Sequence, residues 1–233
     1  MEKKTEKGFS VQEQVFLSLR GKIMNFSLPP GTVMSANEVS GQMQISRTPV
    51  REAFIRLERE GLVKIVPQRE TTVSLINFKR VWQEQFLRES LEIAALERFF
   101  QKCSREHLAK LRKIIKIQYE KSAGKDYPGF IDFDDAFHRL IFVVAEQPLC
   151  WEIIESMSGH YKRCRLMTMW SGDLNASVLS QHEALVEELE SGNFAEVKAL
   201  MEKHLRKLYV EEKMLLQKYP DYFEASERDP LDV

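Results

Sequence analysis

Apolar residues recur along most of this chain at intervals of three and four, the spacing of one buried helical face. Val11, Val15, Leu19 and Ile23 predict a first helix over residues 11–25, and Pro29-Pro30-Gly31 ends it in a turn. Ser35 with Glu38 three residues on is a capping-box pattern, which predicts a short helix to about Met43. A tight turn and another helix follow, in which Val50, Ala53, Phe54 and Leu57 share one side. Thr48 is placed to cap that helix and Pro49 to occupy its first position. Two β-prone runs, residues 60–67 and 71–75, then flank the polar tip Gln68-Arg69-Glu70 and read as a two-stranded wing.

From about residue 80 no convincing strand pattern remains. Helical periodicity runs through residues 81–102, 104–121, 129–145, 149–169, 177–191 and 194–219. The breaks fall at Gly124/Pro128, Gln147-Pro148, Ser171-Gly172-Asp173 and Ser191-Gly192-Asn193. Helices of this length on short connections make an antiparallel bundle. The expected fold is therefore mainly α: an N-terminal winged helix-turn-helix over residues 1–78, then an all-α bundle over residues 79–233. The polar tail after Tyr219 is expected to add little.

Charge sharpens this division. The whole chain carries a formal charge of −1, which excludes a general polycation for nucleic acid. Residues 1–78, however, hold 11 Lys/Arg against 8 Asp/Glu, so a weakly basic head sits on an acidic body, as DNA binding by one part requires. Cys103, Cys150 and Cys164 show no paired spacing and read as reduced thiols. The charged N-terminus is not a signal peptide, and the longest apolar run, near Leu140 to Ala145, is far too short to span a membrane. The expected location is cytoplasmic, with no membrane partner.

The helix after Ser46 has the makings of a DNA-reading element. Its apolar side is backed by Thr48, Glu52, Arg56 and Arg59, with Arg51 on the flank, and its first turn offers N–H groups and a dipole that favour phosphate. Taken alone, the pattern equally fits an ordinary amphipathic surface helix. Four strings change that: Leu28-Pro29-Pro30-Gly31, Ser46-Arg47-Thr48-Pro49-Val50-Arg51-Glu52-Ala53, Arg56-Leu57 and Gly61-Leu62-Val63. Over roughly residues 11–75 they resemble the winged-helix signature of the GntR family of bacterial transcription regulators. The resemblance implies DNA contacts by Arg47, Thr48 and Arg51, and the wider candidate set adds Ser46, Asn37 and Arg56. Three positions depart from the family pattern. Asn37 replaces an arginine that reaches DNA, Gln44 replaces a turn glycine, and Glu70 replaces a wing-tip glycine and sets an acid near the phosphates.

Inside the bundle, Asp134 and His138 are four apart and share a helix face, while His182 and His204 lie on two later helices. Three imidazoles and a carboxylate suit Zn²⁺, Ni²⁺ or a similar divalent ion. Histidines scattered on helices are more often surface or satisfied core residues, and spacing alone leaves that reading ahead. Beyond about residue 80, however, the chain resembles the ligand-sensing FCD domain of the FadR branch of the same family. The resemblance is carried by Arg88-Glu89-Ser90-Leu91-Glu92, Asp134-Asp135-Ala136-Phe137-His138, Gln181-His182-Glu183-Ala184-Leu185 and Met201-Glu202-Lys203-His204-Leu205. It implies that Asp134, His138, His182 and His204 are metal ligands, with Asp135 second to Asp134. A small organic-acid effector would complete the metal shell, and Arg88, Arg163 and Arg165 are candidates to neutralise it. Glu92, four residues after Arg88, can simply pair with that arginine. His107 and His160 read as structural. Trp82, Trp151 and Trp170, with Phe86, Phe99, Phe100, Phe133, Phe137 and Phe142, read as core.

These expectations describe a DNA-binding regulator, a repressor acting as a homodimer on a pseudo-palindromic operator. Two rivals stand beside it: a metalloenzyme that activates water at the His₃Asp site, and a metal-free sensor of acyl chains.

Overall fold

The computed structural model describes residues 9–67, 69–170 and 174–225. Expectations for the extreme N-terminus, wing-tip Gln68, the Ser171–Asp173 break and the end of the tail lie outside the described residues. Contacts divide the chain into two compact units, one of Met1–Ile76 with Asp221–Val233 and one of Asn77–Pro220.

The first unit is the winged helix-turn-helix. Helix α1 (Val11–Met24) buries Val15, Phe16, Leu19 and Ile23 but leaves Val11 half exposed. Strand β1 (Val33–Met34) leads to α2 (Ala36–Met43), whose start carries the capping box: Ser35 Oγ accepts from the Glu38 N–H, and Glu38 accepts from the Ser35 N–H. The turn then runs through Gln44 in the left-handed region, at φ 54°. Helix α3 (Arg47–Arg59) starts two residues earlier than the sequence predicts. Ser46 is its N-cap, so Thr48 and Pro49 are its second and third residues. Proline is tolerated there because the first four helical N–H groups have no partner within the helix. Val50, Ala53, Phe54 and Leu57 bury as expected and pack with α1 and α2.

Strands β2 (Val63–Ile65) and β3 (Thr71–Val73) form the wing, paired Val63↔Val73 and Ile65↔Thr71. The sheet has a third member that the sequence reading missed, since β1 pairs antiparallel with β3 through Val33↔Thr72 and Met34↔Thr71. Gly31, at φ 84°, makes the turn that brings β1 there, and its N–H donates to the Val73 carbonyl at 2.9 Å. The tail also departs from expectation. Ile76 donates to the Tyr222 carbonyl, Glu224 donates to the Ile76 carbonyl, and Tyr222 stacks on Phe26. Residues 221–225 thus belong with the head rather than with the bundle.

The second unit is helical throughout its described residues. Helix α4 (Phe78–Lys102) packs against α6 (Tyr127–Val144), α7 (Pro148–Met157), α8 (Gly159–Met169) and α10 (Phe194–Leu205). Helix α5 (Arg105–Ala123) packs against α6 and α9 (Leu174–Ser191). His107 completes a capping box with Ser104 at the start of α5, a structural role as expected. Two predicted helices are broken. Residues 149–169 divide at Ser158, and residues 194–219 become α10, a 3₁₀ turn (Arg206–Val210) and α11 (Glu212–Lys218).

The first break has a clear cause. Glu84 of α4 accepts from the N–H groups of His160 and Tyr161, at 3.0 and 2.8 Å, and so caps α8 from a different helix. His160 Nδ1 accepts from the Asn77 N–H at 3.1 Å. Of the aromatics read as core, Phe99, Phe137, Phe142 and Trp151 are buried, whereas Phe86 is 73% exposed, on the outer side of α4.

Candidate metal centre and nucleic-acid face

Three helices bring the four predicted ligands together. One turn of α6 places Asp134 and His138 on its buried side, α9 supplies His182 and α10 supplies His204. One ligand atom from each lies within 4.8 Å of all the others. His138 Nε2 is 3.2 Å from His204 Nε2 and 3.5 Å from Asp134 Oδ2, and His182 Nε2 is 3.6 Å from Asp134 Oδ1. An ion bound at about 2.1 Å sets neighbouring donors about 3.0–3.4 Å apart, close to these spacings.

The opposite ring nitrogens explain why all three Nε2 atoms point inward. His138 Nδ1 is bonded to Glu92 Oε1, His182 Nδ1 to Gln118 Oε1 at 2.9 Å, and His204 Nδ1 to Gln181 Oε1 at 2.9 Å. Oxygen acceptors at each Nδ1 keep the proton there and leave each Nε2 as a bare lone pair. The sequence reading missed this second layer. Glu92 does pair with Arg88, at 3.1 Å, but it also orients His138.

The centre is thus a set of acceptors with no donor among them. The lone pairs of His138 and His204 face each other, and His182 Nε2 is buried without a hydrogen-bond partner. Protons do not resolve this. Burial holds His138 and His204 well below the ordinary imidazole value and His182 at about 4. Burial also opposes ionisation of Asp134, but neighbouring Arg165 overrides it and keeps the carboxyl below its usual range. A cation is what such a donor set fits.

Asp135, the alternative ligand, is otherwise engaged. Lys162 reaches it at 2.7 Å and Arg165 at 2.8 Å, while the other arm of Arg165 grips Asp134.

A cavity of about 50 Å³ adjoins the centre, lined by Asp134 and His204 together with Arg88, Tyr161, Arg165, Thr168 and Lys207. Arg88 Nη2 is buried and lacks a hydrogen-bond partner, a donor available to an anion. Two of the three predicted arginines therefore meet the cavity. Arg163 does not: it is fully buried elsewhere on α8, donating to the Gly159 carbonyl, and burial lowers its pKa to about 10.

On the head, Asn37, Arg47, Arg51, Arg69 and Glu70 line one groove of about 480 Å³ between α2, α3 and the wing. Arg47 Nη1 donates to Asn37 Oδ1 at 3.3 Å, so the residue that departs from the family pattern braces a basic one. Ser46 and Thr48 are exposed at the start of α3. Arg56 is turned away to α1, where it pairs with Glu13 at 2.6 Å and lies 3.7 Å over the Phe16 ring. Its position serves head packing instead of the groove.

Comparison with known proteins decides the family. The profile "Bacterial regulatory proteins, gntR family" matches residues 11–73, and "FCD domain" matches residues 85–207. The chain belongs to the GntR family. The HTH-type transcriptional repressor RspR of Escherichia coli (strain K12) is 30% identical over 213 residues, covering 91% of this chain and 93% of its own length. An HTH-type regulator in an unstable DNA locus of Streptomyces ambofaciens is 28% identical over 216 residues, covering 93% and 91%. Among solved structures, E. coli McbR/YncC superposes with a TM-score of 0.75 at 19% identity, covering 91% of this chain and 100% of its own. This GntR-family chain is a DNA-binding transcription regulator with an FCD domain, and its relatives are regulators rather than enzymes, which sets the metalloenzyme alternative aside. No described helix is long and apolar enough to cross a membrane.

Proposed function

We propose that Asp134, His138, His182 and His204 hold one divalent ion, Zn²⁺ or Ni²⁺, and that a small carboxylate enters the adjoining cavity. The observation that carries this reading is the meeting of three acceptor nitrogens and a carboxylate in a buried site, with two of the nitrogens 3.2 Å apart. The ion would supply the positive charge the four groups lack. Arg88, whose Nη2 lies 4.0 Å from Asp134 Oδ2 without a hydrogen bond, and Arg165 would then receive the effector's carboxylate, Arg88 through a donor already in place.

The head grips duplex DNA through Arg47, Thr48 and Arg51 at the start of α3, with Ser46 and Asn37 beside them. The protein acts as a homodimer whose two heads enter successive major grooves of a pseudo-palindromic operator, and it represses. The effector changes operator affinity through a coupling of about 1–3 kcal/mol, the usual scale. A cavity of about 50 Å³ beside charged groups suits a compact acid better than an acyl chain, which weighs against the metal-free alternative.

Metal analysis of the purified protein, before and after His138→Ala, tests the centre. One ion per chain that disappears in the variant is the expected result. An ion-free wild-type protein with full operator response to its effector would sink the reading.

A further inference from the structure

One wall of the cavity is built by the stretch after His204, with Leu205, Lys207, Leu208 and Glu211 facing it. This stretch does not continue as α10. It passes through the 3₁₀ turn and α11 to Tyr219, whose ring meets Trp170 edge-on at 5.5 Å. Immediately beyond, the chain belongs to the head. The Tyr222 carbonyl accepts from the Ile76 N–H at 2.8 Å, and the Glu224 N–H donates to the Ile76 carbonyl at 3.0 Å. Tyr222 stacks on Phe26 with centroids 5.7 Å apart, and Phe223 is buried. Ile76 is the last residue of the head before the chain enters the bundle.

We infer that residues 205–224 form a strap that reports the state of the cavity to the DNA-binding head. Its near end is a wall of the ligand cavity, and its far end is a clasp on Ile76. Only nine residues lie between Glu211 and Asp221, seven of them in α11, so a short and mostly helical segment joins the wall to the clasp. The clasp includes two backbone hydrogen bonds and a stacked ring pair at the end of the described chain, the kind of contact that opens and closes locally, without global unfolding. The strap's regulatory use rests on the metal and effector reading above.

The test is hydrogen exchange on the full-length protein, read at the Ile76 and Glu224 amides, with metal content measured on the same samples. Zn²⁺ loading should change exchange at both amides by about threefold or more relative to EDTA-stripped protein. Tyr222→Ala and Phe223→Ala should each remove that difference while leaving metal stoichiometry unchanged. One bound ion with unchanged exchange overturns the strap, as does a difference that survives both variants. If no ion binds, the metal reading fails by itself and Leu208→Ala decides the strap. That change to the cavity wall should speed exchange at both amides by about threefold or more, and unaltered exchange overturns the inference.

Discussion

Glu92 and His138 meet inside the bundle, carboxylate Oε1 against ring Nδ1, and the other oxygen of Glu92 is held by Arg88 Nε at 3.1 Å. The carboxylate fixes the imidazole's tautomer and raises its basicity toward an ion at Nε2. Glu92→Gln keeps the shape and removes the charge. It should weaken metal affinity by about tenfold to a hundredfold, measured by competition with a chromogenic chelator. Wild-type affinity in the variant would reduce Glu92 to the partner of Arg88.

The centre also has a pH signature. Burial keeps His138 and His204 well below the ordinary value and His182 at about 4, whereas in the unfolded chain each takes up its proton near about 6.5. The unfolded state therefore binds more protons in that window, and this contribution to stability is lost as pH falls through it. For His182 alone the loss is about 1 kcal/mol by about pH 5.5. Glu84 and Glu92, raised by burial, act in the opposite sense, so ring NMR is the cleaner measure. In EDTA-treated protein the three imidazoles should stay neutral down to about pH 5. Titration of all three near the ordinary value would contradict the buried geometry.

Arg51 lines the groove of the head and is exposed, whereas Arg56 is committed to Glu13 and Phe16. Arg51→Ala should weaken operator binding by about tenfold or more and leave metal content unchanged. Arg56→Ala should instead lower head stability by about 1 kcal/mol with little effect on DNA affinity. Fluorescence anisotropy across a salt series, beside thermal melts, separates the two. The reverse outcome would exchange their roles.

Gln44 ends α2 at φ 54°. A side chain in the left-handed region costs about 1–2 kcal/mol, and glycine returns part of that gain through its freer unfolded chain. Gln44→Gly should therefore stabilise the head by about 0.5–1 kcal/mol, seen as a higher melting temperature. A lower one would mean that the Gln44 side chain makes a contact worth more than the strain.

Where the chain's local chemistry and its packing agree, the sequence is readable. Ser35 and Glu38 announce a helix start because both halves of the capping box lie within four residues. Asp134 and His138 share a face for the same local reason, and the resemblance to the FCD domain adds His182 and His204. What escapes is decided at a distance. Strand β1 has two residues, too few for any alternation, and exists because β3 offers it an edge. The split at Ser158 carries only the single Gly159 as a local signal, and it is made by a cap that comes from a glutamate on another helix. Arg163 and Arg165 look alike in sequence. Two residues of helix turn one into the interior and the other toward Asp134.

Because Glu84 fixes where α8 begins, the direction of Arg165 is counted from Ser158 and not from the start of α7. Chain-length variation between Gln147 and Ser158 would be absorbed ahead of that anchor, leaving the guanidinium on target. One residue inserted between Ser158 and Arg165 would instead swing it by about 100°, leaving two acidic neighbours without their shared counter-charge. Among relatives of this regulator, insertions should therefore accumulate on one side of a single serine and be missing from the other.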